Sequence, residues 1–236
     1  MAITTVLFDL DGTLLPMDQD VFVKRYLGLL AEYMAPHGYD PHELVKAIWS
    51  GTGAMVMNDG KNANETVFWN VFASVFGEKS LSDMPLFDEF YRTRFDLVKD
   101  SCGFDARADK AVKAIKSMGY RTVLATNPIF PSVATEARIR WAGLDSSDFD
   151  LITTYENSSY SKPSLGYYKA IMEKLGVKGE ECLMVGNDVS DDMVVDELGM
   201  KVFLMTDHLI NKSGRNIALY PKGSFDELVR FIGSLT

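Results

Sequence analysis

Short, largely apolar runs at residues 3–8, 120–125, 151–154, 181–185 and 201–205 punctuate the chain. Over its second half they alternate with stretches whose apolar residues recur at helical spacing. Those stretches carry Ala108, Ala111, Val112, Ile115 and Met118, then Val133, Ala137 and Trp141, then Leu165, Tyr168, Met172 and Leu175. Runs so short and nearly continuous suit strands buried on both faces, whereas the periodic stretches suit amphipathic helices. Gly119, Gly143 and Gly176 stand where these helices would end in a left-handed cap, and Gly199 does the same for a helix beginning near Asp191. The pattern predicts a doubly wound α/β fold, a parallel sheet with helices on both faces.

Residues 16–103 interrupt the alternation. Stretches 21–34, 43–49, 64–76 and 86–98 all read as helices, with no strand-like run among them. A helical insertion of this kind divides the chain into an α/β core, residues 1–15 and 104–236, and a helical domain, residues 16–103. The connecting hinges fall near Leu15 and Pro16 and near residues 101–104. Residues 50–60, with Gly51, Thr52, Gly53 and Asn58, read as a glycine-rich loop between two of the helices. Such a loop either reads a substrate or is simply mobile. Residues 209–223 show little periodicity before a last helix over 225–232.

Composition narrows the function. With 47% hydrophobic and 24% charged residues in 236, the chain can bury a sizeable core. Its net charge of −9, with Lys and Arg scattered among acids, leaves no basic stripe for nucleic acid. The two cysteines, Cys102 and Cys182, read as free thiols of a reducing compartment, and no leader or bilayer-length apolar segment is visible. The expectation is a cytoplasmic protein without membrane contact; the oligomeric state is not legible. Three histidines and no Cys-x-x-Cys leave zinc without ligands, so an oxygen-bound Mg²⁺ is the metal that fits.

The candidate chemistry sits at strand ends. Asp9-Leu10-Asp11-Gly12-Thr13 follows the first apolar run, and an i, i+2 pair leaves a strand end on one side. Open α/β sheets bind ligands at that edge. Two carboxylates so close repel unless a cation lies between them or one holds a proton. Turn geometry alone also favours Asp and Gly. Thr126 and Asn127 end the second run, where Thr126 suits either an anion or a helix N-cap. Ser161-Lys162-Pro163 follows the third run, and Gly186-Asn187-Asp188-Val189-Ser190-Asp191-Asp192 the fourth.

These four segments, in this order, resemble the haloacid dehalogenase superfamily, whose phosphoryl-transfer members carry an Asp-x-Asp-Gly-Thr motif, a Ser or Thr, a Lys and an acidic loop. The resemblance implies Asp9 as nucleophile, forming an aspartyl phosphate, and Asp11 as general acid and base. It implies Gly12, Thr126, Asn127 and Lys162 around the phosphoryl group. Mg²⁺ would take Asp9, the carbonyl of Asp11 and an acid of the fourth loop. Asn187 stands where many relatives have Asp, so Asp188 is the expected ligand, with Asp192 orienting a metal-bound water and Asp191 as the alternative. Residues 16–103 look like the family's cap. The implied activity is a phosphatase acting on a small phosphorylated metabolite. A phosphomutase of the same family and a non-catalytic phospholigand-binding module are the alternatives.

Overall fold

The computed structural model describes residues 2–235, so Met1 and Thr236, the ends of the expected core range, lie outside it. The first apolar run forms β1 (Thr5–Phe8), whose four residues are all buried. The chain then leaves the sheet for α1 (Gln19–Met34), α2 (Pro41–Val56), α3 (Asn64–Phe76) and α4 (Met84–Thr93), followed by a 3₁₀ segment, Phe95–Ser101. It returns through α5 (Ala106–Ser117), β2 (Arg121–Leu124), α6 (Ser132–Trp141), β3 (Leu151–Ile152) and α7 (Leu165–Leu175). β4 (Cys182–Gly186), β5 (Lys201–Met205), β6 (Lys222–Gly223) and α8 (Phe225–Gly233) complete it.

Among the described residues the sheet has six strands, all parallel, in the order β3-β2-β1-β4-β5-β6. Pleating sorts the side chains. Leu7, Val123, Met184 and Leu204 pack with Tyr168 and Ile171 of α7 on one face. Val6, Phe8, Val185 and Phe203 pack with Ile115 of α5 and Leu228 of α8 on the other. The expected doubly wound sheet is therefore present. Strand order reverses between β1 and β4, which opens a crevice at their carboxyl ends. Phe8 is level with Leu124 and Val185, so the residues after all three strands emerge there together.

The helices begin where local chemistry directs. The Asp18 carboxylate accepts the N–H groups of Asp20 and Val21 to start α1, and Asp40 does the same for α2 ahead of Pro41. The two strands of chain entering and leaving the helical stretch are tied together, Gly103 N–H donating to Pro16 O at 2.7 Å beside a bridge between Met17 and Cys102. Buried apolar contact is continuous across them, from Phe72 and Phe90 of the helical stretch through Phe22 and Phe95 to Phe8 of the sheet.

Three expectations change. Residues 50–56 are not loop but the last turns of α2, which packs along α3; Gly51 is buried, and a Cβ there would lie 2.5 Å from the Phe68 ring. The glycine that reads as a loop signal is a helix–helix contact. The helix expected near Asp191 is a 3₁₀ segment, Met193–Leu198. The unpatterned stretch before α8 contains β6, too short to show a period.

Candidate active site

β1 ends by delivering Asp9 into the crevice, its N–H bonded to Val185 O at 2.9 Å. Gly12 then turns the chain back at φ +87°, and a Cβ there would come within 2.4 Å of the Asn187 amide. Both properties require glycine. Thr13 Oγ1 lies 3.0 Å from Asp9 Oδ2 and 3.0 Å from Asn187 Oδ1, with one hydroxyl proton to share between them. Asn187 is anchored in turn, donating through Nδ2 to His208 O at 2.7 Å. The stretch after β5, silent in the sequence, thus braces the fourth loop, with Ile210 N–H bonded to Asn187 O and Val189 N–H to Ile210 O, each at 2.9 Å.

Lys162, 2% exposed, bridges two carboxylates: Nζ donates to Asp9 Oδ1 at 2.8 Å and to Asp192 Oδ1 at 2.6 Å. Although burial alone would lower it, these two anions hold its ammonium well above the ordinary lysine range. Asp192 uses its other oxygen on the Asp188 N–H at 3.0 Å, so its carboxylate positions the lysine and closes the loop together. Asp188 Oδ1 accepts the N–H groups of Ser190 and Asp191, leaving Oδ2 without a donor among the described residues. Burial raises the Asp191 carboxyl, with Lys162 opposing. Asn127 Oδ1 receives the Lys162 N–H at 3.2 Å, joining the second and third segments. The Thr126 carbonyl is held by Thr153 and Tyr167 hydroxyls, both at 2.8 Å, and its own hydroxyl has no partner among the described residues.

Asp11 has a neighbour that periodicity concealed. Arg138 of α6 is fully buried and donates through Nη1 to Asp11 Oδ2; its Cζ lies 4.5 Å from the centre of the Phe130 ring. The other Asp11 oxygen, Oδ1, is buried without a hydrogen-bond partner. Burial raises the Asp11 carboxyl, Arg138 pulls it down and the Asp9 charge pushes it up again. Arg138 lies among Ala134, Ala137 and Trp141 on the buried side of α6, a position that a charged residue does not signal by itself.

Asp9, Asp11, Thr126, Asn127, Lys162, Asp188, Asp191 and Asp192 line a single cavity of about 240 Å³, so the four strand-end segments do converge. Gln19, Phe22 and Val23 of α1 and Trp49 of α2 face it from the helical side, and none of them was singled out from sequence. Of the expected substrate-loop residues, Gly51, Thr52, Gly53 and Asn58, none reaches this cavity. Gly51 packs on α3, and Asn58 donates to Asn62 O and Asn64 Oδ1, both at 2.8 Å. Thr52 lines a neighbouring cavity instead.

A parallel sheet reversing between β1 and β4 sets paired aspartates and a buried lysine at the edge where open α/β sheets bind ligands. The chain belongs to the haloacid dehalogenase-like hydrolase family, whose sequence profile matches residues 3–194. It is 25% identical over 201 residues to the pyrophosphatase PpaX of Bacillus cereus (strain G9842), covering 85% of this chain and 82% of that protein. Among solved structures it superposes on a HAD phosphatase from Thermococcus onnurineus (TM-score 0.59, 20% identity, 98% of each chain). It also superposes on a 2-haloacid dehalogenase from Pseudomonas syringae pv. Tomato DC3000 (TM-score 0.63, 18% identity, 99% of this chain and 100% of that one). Relatives of this fold thus include both phosphatases and dehalogenases.

Proposed function

We propose that the protein is a Mg²⁺-dependent phosphatase that hydrolyses a small phosphorylated metabolite through an aspartyl phosphate on Asp9. The observation that carries this reading is Asp11. It shares the cavity with Asp9, is steered by Arg138 through one oxygen and keeps the other, buried and unpartnered, for a proton. A departing alkoxide needs that proton; a departing halide does not.

Asp9 attacks phosphorus, and the bond from phosphorus to the ester oxygen breaks as Asp11 delivers its proton to that oxygen. Asp11, now ionised, takes a proton from the water that attacks the acyl phosphate, which frees inorganic phosphate and restores both groups. Lys162 offsets the charge of Asp9 and of the transferring phosphoryl oxygens. The free Thr126 hydroxyl and the Asn127 N–H supply neutral donors at the same place.

The cavity fits the metal. Five aspartates line it against one lysine, so a phosphate dianion would enter a field of like charge without a further cation. The donors are hard oxygens, and the Asp11 carbonyl accepts no hydrogen bond among the described residues. Those residues contain no cluster of three or more acidic, histidine or cysteine side chains in ligating geometry. Mg²⁺ suits such a sparse site, since it keeps waters and takes substrate oxygens. Asp9, the Asp11 carbonyl and Asp188 would hold it, with Asp191 as a further carboxylate, and it would neutralise charge developing on the phosphoryl group. Residues 16–103 act in the same proposal as a cap over the core of residues 1–15 and 104–236; the tied linkers at Pro16 and Gly103 support a pivot there.

Phosphate release from an aryl phosphate, with and without Mg²⁺, tests the reading. Hydrolysis should require the metal and vanish in Asp9→Asn, while Asp11→Asn should suffer less on aryl than on alkyl esters, whose leaving groups need the proton. Halide release from 2-chloropropionate, with no phosphate released from any ester, would overturn it.

A further inference from the structure

The phosphoryl cavity shares part of its wall with a second one. Val23, Trp49, Ile129 and Phe130 also line the adjoining cavity, of about 200 Å³. Beyond these shared residues its wall is largely aromatic, with Tyr26, Phe68, Trp69, Phe87, Tyr91 and Tyr155. No lysine, arginine or histidine lines it; its charged residues are Glu65 and Asp88.

Of its polar groups, the Trp69 indole N–H is buried without a hydrogen-bond partner among the described residues, and no cation stands beside it. The hydroxyls of Tyr26 and Tyr91 bond to each other at 2.7 Å, and burial raises both phenols, Tyr26 to about 12, so they stay neutral. Burial also raises the Glu65 carboxyl, and the charges of Glu156 and Asp88 raise it further, which marks a place short of positive charge. A polyol entering here would set most of its hydroxyls against apolar and ring surfaces, and a second phosphate or carboxylate would face Glu65 and Asp88 with no cation lining the wall. An aromatic group would instead meet ring faces and edges. A cavity of roughly 150 Å³ lined by apolar side chains holds benzene, so this one has room for a substituted ring.

We propose that the leaving group of the substrate is an apolar, ring-sized alcohol without negative charge, seated in this aromatic cavity while its phosphate lies at Asp9. The proposal rests on the phosphatase reading and adds the substrate class. Hydrolysis would yield that alcohol and inorganic phosphate. Pyrophosphate's second anionic group would find no cation along this wall.

The test compares 2-phenylethyl, ethyl and 3-carboxypropyl phosphates, primary alkyl esters of similar leaving-group acidity, together with pyrophosphate. The phenylethyl ester should exceed each of the others in kcat/KM by at least about tenfold, mostly through KM, as expected for burial of a ring. Filling the cavity with Met84→Trp, or independently Thr52→Trp, should reduce the ratio of phenylethyl to ethyl ester at least about tenfold. Hydrolysis with no such preference, or favouring pyrophosphate or the carboxylate ester, overturns the substrate class and leaves the phosphatase standing. If no ester is hydrolysed, calorimetry with 2-phenylethylphosphonate and ethylphosphonate separates the two claims. Tighter binding of the phenylethyl compound upholds the apolar subsite while the hydrolytic reading fails, and equal binding overturns both.

Discussion

Arg138 shows how one side chain can govern a centre it does not line. Fully buried under Phe130, it also donates to Ala134 O at 3.4 Å and Thr135 Oγ1 at 3.3 Å, so its guanidinium is fixed before it meets Asp11. Arg138→Met should destabilise the fold by about 3 kcal/mol, the scale of breaking a buried pair from one side, measurable by denaturant unfolding. The same change removes the group that pulls the raised Asp11 carboxyl down, so that carboxyl should rise further. A raised acid contributes stability that is whole below its unfolded pKa and lost as pH rises through its folded value. In the variant that loss should extend to higher pH. If Asp11 is the proton donor proposed above, the alkaline limb of the pH–rate profile should move upward with it. An unmoved limb would mean that another group supplies the proton. Asp9, Asp11, Thr126, Lys162 and the acidic loop were all legible as strand-end groups, and one cavity collects them. Arg138 was not, because a charged residue in a helix reads as solvent-facing until its partner from β1 is known.

At the scale of elements, α2 gives opposite meanings to two glycines two residues apart. A Cβ on Gly51 would strike the Phe68 ring at 2.5 Å, whereas one on Gly53 meets nothing within 4 Å. Gly53→Ala should therefore stabilise by about 0.5–1 kcal/mol through helix propensity and the unfolded chain. Gly51→Ala should destabilise by about 1–3 kcal/mol by overpacking α2 on α3, despite the same gain in propensity. Thermal midpoints moving in opposite directions would check the pair; equal shifts would deny the close packing of the two helices. In sequence both positions carried the same signal, a glycine-rich gap. Periodicity saw α3 at its full length because its apolar residues are dense, and it stopped α2 short because Gly51 contributes to the contact by having no side chain to count.

Across the whole molecule, a single buried apolar cluster runs from the helical stretch into one face of the sheet. Trp49 and Trp69 lie in α2 and α3, and Trp141 in α6, where it stacks on Phe95 with ring centres 5.0 Å apart. Unfolding followed by tryptophan fluorescence in a Trp141→Phe variant, which reports the helical stretch alone, should coincide with unfolding followed by far-ultraviolet circular dichroism. Separate transitions would show that the helical stretch melts independently of the sheet. Movement of the helical stretch against the sheet, if it accompanies turnover, must then occur about the paired linkers without exposing the shared core.

The sequence by itself determined the parallel sheet, its covering helices, the insertion after β1 and the strand-end groups, because burial on two faces, helical period and turn chemistry are local properties written residue by residue. Tertiary structure decided which of those groups meet. Only the reversal of strand order between β1 and β4 sets Lys162 between Asp9 and Asp192. Only the approach of α6 to β1 gives Asp11 its arginine. The aromatic cavity likewise depends on tertiary structure, since its walls come from α1, α2, α3, α4 and the segments after β2 and β3. Its shape depends on how those elements pack, and contacts between residues distant in the chain leave no period to read.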